Sequence, residues 1–312
     1  MPYIYEITQI KSPHFPWQVV AYLFVNGIAA GSFLVAALLQ AFGGKTGRNG
    51  LHKAYYITFL FLPLCGLFLI GKLQIKTRFI NVLWNSRDSM LMLNTNSPMS
   101  MGAWVLTVFS LFAVISVIYA INKDGLLHWR WFKKLGALAG YLHEGGLAAK
   151  IYLTVGSALA AWFGSYLGIL VTTTHVPAWN ATPFIPMLWL VSALAVGASA
   201  IILVLIFSKP KEYEALIQGL NRIVISALIL NFAAIMIFVL SLGDWSHTVN
   251  SGHYAWLLWG GFVILGLLLP LLMKLKPGLL GSRSSLILSS FLVILGSLAL
   301  RYVVIMGPQS FW

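Results

Sequence analysis

Apolar residues are grouped along this chain into eight long stretches, and almost every charged residue lies in the gaps between them. A helix of about 20 apolar residues crosses the roughly 30 Å hydrocarbon core of a bilayer and satisfies its own backbone hydrogen bonds there. The pattern therefore predicts an all-α polytopic membrane protein with eight transmembrane helices in a bundle. The predicted spans are residues 17–42, 54–72, 101–121, 147–172, 184–207, 223–242, 255–273 and 286–306.

Composition supports this prediction and narrows the function classes. Hydrophobic residues make up 59% of the 312 residues and charged residues 9%, a balance untypical of a water-soluble protein. The longest gaps, 73–100 and 122–146, are too short to fold as a catalytic domain. We expect one integral membrane domain over residues 1–312 that is not catalytic on its own and needs a partner subunit for redox enzymology. Residues 1–15 lack the pattern of a cleavable signal peptide, so the first span is expected to direct insertion.

The distribution of lysine and arginine predicts the orientation. Most of these residues lie in the first, third, fifth and seventh gaps, which by the positive-inside rule face the cytoplasm. Both termini then face the outer, periplasmic side of a bacterial or archaeal cytoplasmic membrane. The net charge of +13 follows largely from this rule, so nucleic-acid binding is not expected. The second gap is an exception on the outer side, with Lys72, Lys76, Arg78 and Arg87. This excess of basic residues has two alternative explanations, which are chance and a docking surface for an acidic partner.

Hydrogen-bonding side chains occur at a similar shallow depth in three spans. Tyr22 and Asn26 lie one turn apart in the first span, Tyr166 near the outer end of the fourth, and Arg301 near the outer end of the eighth. Polar groups inside spans are costly and are functional candidates by default. Interfacial tyrosines and a snorkelling arginine are the alternative explanations. A set of donors at one shallow depth, surrounded by apolar side chains, suits a quinone head group.

Other chemistries are less well supported. The histidines lie outside the centres of the spans, and the single cysteine, Cys65, cannot form a cluster site, so we expect neither haem nor an iron–sulfur cluster on this chain. The Gly27–Gly31 pair is interpreted as a helix-packing motif. Glu144 could begin a proton path, but an ion pair with Lys150 is the favoured interpretation. No set of protonatable groups crosses the helix centres, so we do not expect this subunit to pump protons.

Several segments in the same order resemble the polysulfide reductase membrane subunit family, also called NrfD or PsrC-like. The first is YLFVNGIAAG over Tyr22–Gly31, and SPMSMGAW over Ser97–Trp104 precedes the third span. YLG at Tyr166–Gly168 is followed by PAWN at Pro177–Asn180. RYVVIMGPQ over Arg301–Gln309 ends the eighth span. The resemblance extends over residues 17–309.

This resemblance implies a quinone-reactive membrane subunit using menaquinone or ubiquinone. Its implied partners are an iron–sulfur subunit with four clusters and a molybdopterin or multihaem catalytic subunit on the outer side. Tyr166 matches a tyrosine that contacts the quinone, and Tyr22 matches a position where a relative uses histidine. The predicted quinone site comprises Tyr166, Tyr22, Asn26, Arg301, Trp104 and His175. The predicted docking residues are Lys76, Arg78, Arg87, Ser97, Pro98, Trp179 and Asn180.

One segment departs from the family pattern. The family often has an acidic residue and a proline at the end of the second span, whereas this chain has KLQIKTRF over 72–79. A proton exit through that carboxylate cannot be transferred to this protein. Two alternative functions are also compatible with the sequence. A secondary transporter would show broken helices at the midplane, where Asn231 is the only strongly polar residue. A passive anchor would tether a redox complex without touching quinone.

Overall fold

The computed structural model describes residues 15–43, 50–71, 76–85, 90–126, 130–174, 176–208, 211–276 and 282–311. Eight of its helices are long and apolar enough to cross a membrane, which confirms the predicted all-α polytopic fold. They are α1 Trp17–Phe42, α2 Lys53–Gly71, α3 Pro98–Lys123, α5 Leu147–Thr172, α6 Ile185–Ser208, α7 Glu214–Ser241, α8 Gly252–Leu275 and α9 Ser282–Gln309. Within α8 the segment Trp256–Leu268 is a π-helix.

The gaps contain elements that the hydropathy pattern does not predict. Helix α4, Arg130–Glu144, lies between α3 and α5 and packs on both. Two short strands, β1 Trp84–Asn85 and β2 Met90–Leu91, form an antiparallel hairpin before α3. Both elements have too few consecutive apolar residues to register as spans. "Outer" below means the side on which α1 begins, and "inner" the opposite side.

Helix α7 is longer than the sixth predicted span, 223–242. Helix α7 starts at Glu214. Its first turns contain polar residues such as Gln218, Asn221 and Arg222, which a hydropathy pattern excludes from a span. A helix continues beyond the hydrocarbon wherever its backbone bonds are satisfied. These polar turns line the inner ends of the neighbouring helices.

Helices α1 and α6 form the centre of the bundle. Helix α1 packs against α2, α5, α6 and α9, and α6 packs against α1, α5, α7 and α9. The two cross where Gly31 of α1 meets Ala193 and Gly197 of α6, with no space for a Cβ atom on either glycine. Small residues allow this close approach in a membrane, where apolar side chains gain little by leaving lipid. The packing interpretation therefore holds for Gly31, whereas Gly27 lies against the Arg301 side chain.

Candidate functional site

Tyr22, Asn26 and Tyr166 come together near the outer ends of α1 and α5. All three are buried. The Tyr22 hydroxyl is hydrogen-bonded to the Asn26 side chain. Tyr166 and Cys65 of α2 lie close enough to interact with it electrostatically. The Asn26 amide donates to the backbone carbonyl of Phe163, 3.2 Å away, which fixes α1 against α5. We call Tyr22, Asn26 and Tyr166 the outer cluster.

Tyr166 is held by the beginning of α3. Its hydroxyl donates to the Pro98 carbonyl at 2.5 Å. Ser97 caps α3 by accepting from the Ser100 amide, and Pro98 occupies the first helical position, where a missing N–H is harmless. The ring end of Tyr166 lies where a Cβ atom on Gly102 would be. The SPMSMGAW segment therefore shapes the space around Tyr166.

Arg301 lies elsewhere, against the Leu23 and Gly27 side of α1. It is 1% exposed. Its guanidinium donates to the Leu23 carbonyl at 3.0 Å, to the Ser192 hydroxyl at 3.1 Å and to the backbone carbonyl and hydroxyl of Ser297. It also lies over the ring of Trp189, with 5.3 Å between the guanidinium carbon and the ring centroid. These contacts join α1, α6 and α9, and the structure does not bring Arg301 into the outer cluster.

The predicted tryptophans have structural contacts as well. The Trp104 indole donates to the Met92 carbonyl at 2.9 Å, which ties α3 to the preceding loop. Trp179 is buried, donates to the Val304 carbonyl at 2.8 Å and stacks on Phe15. Trp179 thus fastens the Pro177–Asn180 turn to α9, whereas Asn180 is exposed. His175 lies outside the described residues.

The segment before α3 and the first turn of α3 present a surface rich in exposed apolar side chains. Its members are Phe79, Ile80, Trp84, Met90, Leu91, Leu93 and Met99, which we call the outer apolar surface. Ser97 and Pro98 border it and are partly buried. Of the predicted basic docking residues, Arg87 lies outside the described residues, and for Lys76 and Arg78 the structure gives the backbone only.

An apolar groove of about 700 Å³ runs along the outer half of α1. Trp17, Val20 and Phe24 form its α1 side, and Leu298 and Tyr302 of α9 form the opposite wall. The groove lies on a different face of α1 from Tyr22 and Asn26. Its lining is almost entirely apolar, as a lipid chain or an isoprenoid chain requires.

A second polar cluster, which sequence reasoning missed, connects the inner ends of α1 to α5. Tyr55 donates to the Gln40 side-chain oxygen at 2.8 Å, and the Gln40 amide donates to the His143 carbonyl at 3.1 Å. Tyr119 stacks on the His143 ring, with 4.2 Å between centroids, and donates to Glu144 at 2.7 Å. Apart from the adjacent His143 and Glu144, these residues lie in different helices, so only the knowledge of which helices meet could have grouped them.

His143 is neutral in this cluster. It is 2% exposed, and burial lowers its pKa to about 4. Its Nδ1 atom lies 2.8 Å from the Ala139 carbonyl, which can only accept, so Nδ1 carries the proton. Nε2 then accepts from the Ser116 hydroxyl at 3.1 Å. Ser116 is also 3.1 Å from the Tyr152 hydroxyl, so the hydrogen-bonded chain continues into α5.

The expected ion pair between Glu144 and Lys150 is wrong. Glu144 pairs with Lys123 at the inner end of α3, with 2.7 Å between Nζ and Oε1. Hydrogen bonds from Lys123 and Tyr119 lower the pKa of Glu144. Helix α4 causes the difference, because it packs against the inner end of α3 and brings its C-terminal residue to Lys123. The sequence gives no direct sign of this return.

Three phenylalanines separate the inner cluster from the outer cluster. Phe33 packs edge-on against Phe109, with 5.1 Å between centroids, and Phe109 lies 5.4 Å from Phe163. All three are fully buried. Phe33 also contacts Tyr55 of the inner cluster, and the Phe163 carbonyl accepts from Asn26 of the outer cluster. An apolar layer therefore lies between the two groups of protonatable side chains.

Within the described residues no group of three or more His, Cys, Asp or Glu side chains could hold a metal ion. Asn231, the polar residue near the centre of α7, donates to the carbonyls of Val191 and Ala227. It therefore links α7 to α6 in the same way that Asn26 links α1 to α5.

Comparison with known proteins gives matches over nearly the whole chain. A family model described as Polysulphide reductase, NrfD, matches residues 8–312. The C subunit of the polysulfide reductase of Wolinella succinogenes is 27% identical over 326 residues, which cover 98% of each protein. Protein NrfD of Escherichia coli is 26% identical over 97% of this chain and 99% of its own. A NrfD homolog of Haemophilus influenzae is 26% identical over 96% of each.

Proposed function

The chain belongs to the polysulfide reductase NrfD family, whose members are membrane subunits of respiratory complexes, and from this premise we propose that it exchanges electrons with a quinone at the outer cluster. The substrate is menaquinol or ubiquinol, or the corresponding quinone, and the electrons pass to or from an iron–sulfur partner on the outer side. The observation that carries the proposal is the convergence of Tyr22, Asn26 and Tyr166 in one buried position.

The chemistry of the outer cluster suits both redox states of a quinone. A quinone carbonyl needs a donor, and a quinol hydroxyl needs an acceptor. In this structure the Tyr166 hydroxyl donates to the Pro98 carbonyl, so its oxygen can accept from a quinol hydroxyl. A rotation of the hydroxyl away from Pro98 would direct the proton at a quinone carbonyl. Oxidation of one quinol releases two electrons to the partner and two protons to the outer side.

The isoprenoid tail needs a path to lipid. The apolar groove along Trp17, Val20 and Phe24 lies on another face of α1, between α1 and α9, so a tail would reach it around the outer end of α1. A tail lying there would keep the head group near the outer end of α1. Arg301 acts in this proposal as a positioning residue, because it fixes α1 against α6 and α9 without reaching the outer cluster.

The partner is expected on the outer apolar surface. Monomeric proteins rarely expose large contiguous apolar patches outside a membrane unless another protein covers them. Leu91 and Leu93 are more than half exposed, and they lie close in sequence to Pro98, the partner of Tyr166. An iron–sulfur subunit bound here would approach the outer cluster from the side of α3. In this proposal the multihaem or molybdopterin subunit binds the iron–sulfur subunit on the side away from the membrane.

Tyr166→Phe tests the proposal. The variant loses one buried hydroxyl but keeps the ring beside Gly102, so the complex should assemble normally. Loss of one hydrogen bond of about 1 kcal/mol should slow quinol-linked turnover about five-fold. Tyr141→Phe, which removes an exposed hydroxyl from α4, is the matched control and should leave turnover unchanged.

The measurement is steady-state quinol oxidation by the purified complex, with the subunit ratio checked for each variant. Unchanged kcat and KM in Tyr166→Phe would contradict the quinone assignment and favour the passive-anchor alternative. The family match and the bundled helices give no support to a secondary transporter.

A further inference from the structure

A separate cavity lies at the inner ends of α6 to α9, the last four transmembrane helices. It has a volume of about 490 Å³ and is enclosed by the end of α6, the beginning of α7, the end of α8 and the beginning of α9. The outer cluster lies at the opposite ends of the first-half helices. The cavity therefore plays no part in the proposed quinone chemistry.

The lining of this cavity is positively charged. Lys211, Lys274 and Arg283 contribute three cationic side chains, and Glu214 contributes one carboxylate. Lys211 and Arg283 are exposed at the entrance, whereas Lys274 is only 5% exposed. A site of this kind attracts anions, and its deepest cation is excluded from water.

Lys274 lacks an anionic partner within the described part of the chain. Its ammonium donates to the neutral side-chain oxygen of Asn221 at 3.0 Å, and neither ion pair found among the described residues includes it. Burying an ammonium without a counter-charge is costly. An anion entering the cavity would remove that cost by accepting from the remaining Lys274 N–H groups.

The cavity also has an apolar wall. Ile206, Ile217, Met273 and Leu286 line it beside the charged groups. Cationic pockets between transmembrane helices that border apolar surface suit the phosphate of a lipid head group with its acyl chains alongside. By the positive-inside rule these helix ends face the cytoplasmic leaflet, where anionic lipids are concentrated.

We propose that this cavity binds a phosphate-bearing anion through Lys274, with Arg283 and Lys211 at its entrance. The phosphate group of an anionic phospholipid and free inorganic phosphate share this chemistry. The apolar wall favours the phospholipid, and the experiment separates the two sources.

The experiment is native mass spectrometry of the purified full chain in detergent, titrated with phosphatidylglycerol or with a diacylglycerol of the same acyl chains. Lys274→Gln should weaken phosphatidylglycerol binding by about ten-fold or more, because a charge-assisted hydrogen bond is lost. Lys276→Gln is the matched control. It removes the same charge from an exposed position two residues away and should bind as the wild type does. Diacylglycerol should bind both variants and the wild type equally weakly.

A second arm adds inorganic phosphate alone and measures thermal stability. Stabilisation by phosphatidylglycerol but not by inorganic phosphate, and only when Lys274 is present, identifies a lipid site. Stabilisation by both, again only with Lys274, identifies a general phosphate site and also supports the proposal. Equal binding of phosphatidylglycerol by wild type, Lys274→Gln and Arg283→Gln overturns it. Lys274→Gln should fold, because it replaces a buried charge with a neutral side chain of similar length.

Discussion

At the residue scale, the structure gives different tasks to side chains that the sequence presents alike. Tyr22, Asn26, Tyr166 and Arg301 are all polar groups near the outer ends of apolar helices. The first three meet in the outer cluster. The guanidinium of Arg301 is instead occupied by the Leu23 carbonyl, Ser192 and Ser297. Depth in the membrane can be estimated from the sequence, but the side of the helix that a group faces depends on the neighbouring helices.

Arg301→Gln should therefore lower stability more than it changes quinone affinity. The variant removes a buried cation but leaves the Leu23 carbonyl without its donor, and an unsatisfied buried acceptor costs about 1–3 kcal/mol. The measurement is thermal unfolding in detergent, with quinol KM determined on the folded fraction. Arg222→Gln, which changes an arginine near the inner end of α7, is the control. A variant of normal stability with a much higher quinol KM would return Arg301 to the quinone site.

At the element scale, α4 is the feature that the sequence could not supply. The eight membrane spans follow from hydropathy because a run of apolar residues has one stable state in lipid. Helix α4 is short and amphipathic, and its position depends on the contacts of His143 with α1, α2 and α3 and of Glu144 with α3. Those contacts are long-range, so neither the Glu144–Lys123 pair nor the inner cluster could be inferred from local patterns.

The inner cluster should make stability depend on pH. Burial lowers the pKa of folded His143 to about 4 from an ordinary value of 6.5. As the pH falls below 6.5 the unfolded chain takes up a proton before the folded chain does, so stability falls between about pH 6.5 and 4. His143→Gln should reduce this slope, and His247→Gln, at an exposed position, should keep it. The measurement is unfolding temperature against pH, and identical slopes in all three proteins would refute the prediction.

His143→Gln also tests whether the apolar layer separates the inner cluster from quinol oxidation. Phe33, Phe109 and Phe163 lie between the inner and outer clusters. If protons leave a quinol directly to the outer side, His143→Gln should keep quinol turnover at pH 7.5 within about two-fold of wild type, since removing a group outside the reaction path costs little.

At the scale of the whole molecule, the proposed function requires a partner that carries the iron–sulfur clusters. Within the described residues the chain has no metal-binding group, and the segment before α3 forms an outer surface of exposed apolar side chains. In the sequence, the basic residues of the second gap are the only feature that points to a partner at this surface. The apolar side chains of the hairpin become visible as a surface only once their exposure is known.

Leu91→Asp should weaken copurification of the iron–sulfur partner, because it places a charge in the centre of the outer apolar surface. Leu91 is 65% exposed. The matched control is Leu126→Asp, at a 61% exposed leucine beyond the inner end of α3. The readout is the partner-to-subunit ratio after affinity purification from membranes. A lower ratio for Leu126→Asp, with Leu91→Asp unaffected, would place the partner on the inner side and reverse the predicted topology.

In the proposed function, the quinone head group binds between α1 and α5 at the outer cluster. Photolabelling of the assembled complex with an azido-quinone, followed by peptide mapping, tests it most directly. We predict labelled peptides that contain Tyr22–Gly31 or Ser97–Trp104, or the part of α5 around Tyr166, and that excess quinol suppresses the labelling. Labelling confined to the inner ends of the helices, or labelling that quinol does not suppress, would contradict the account.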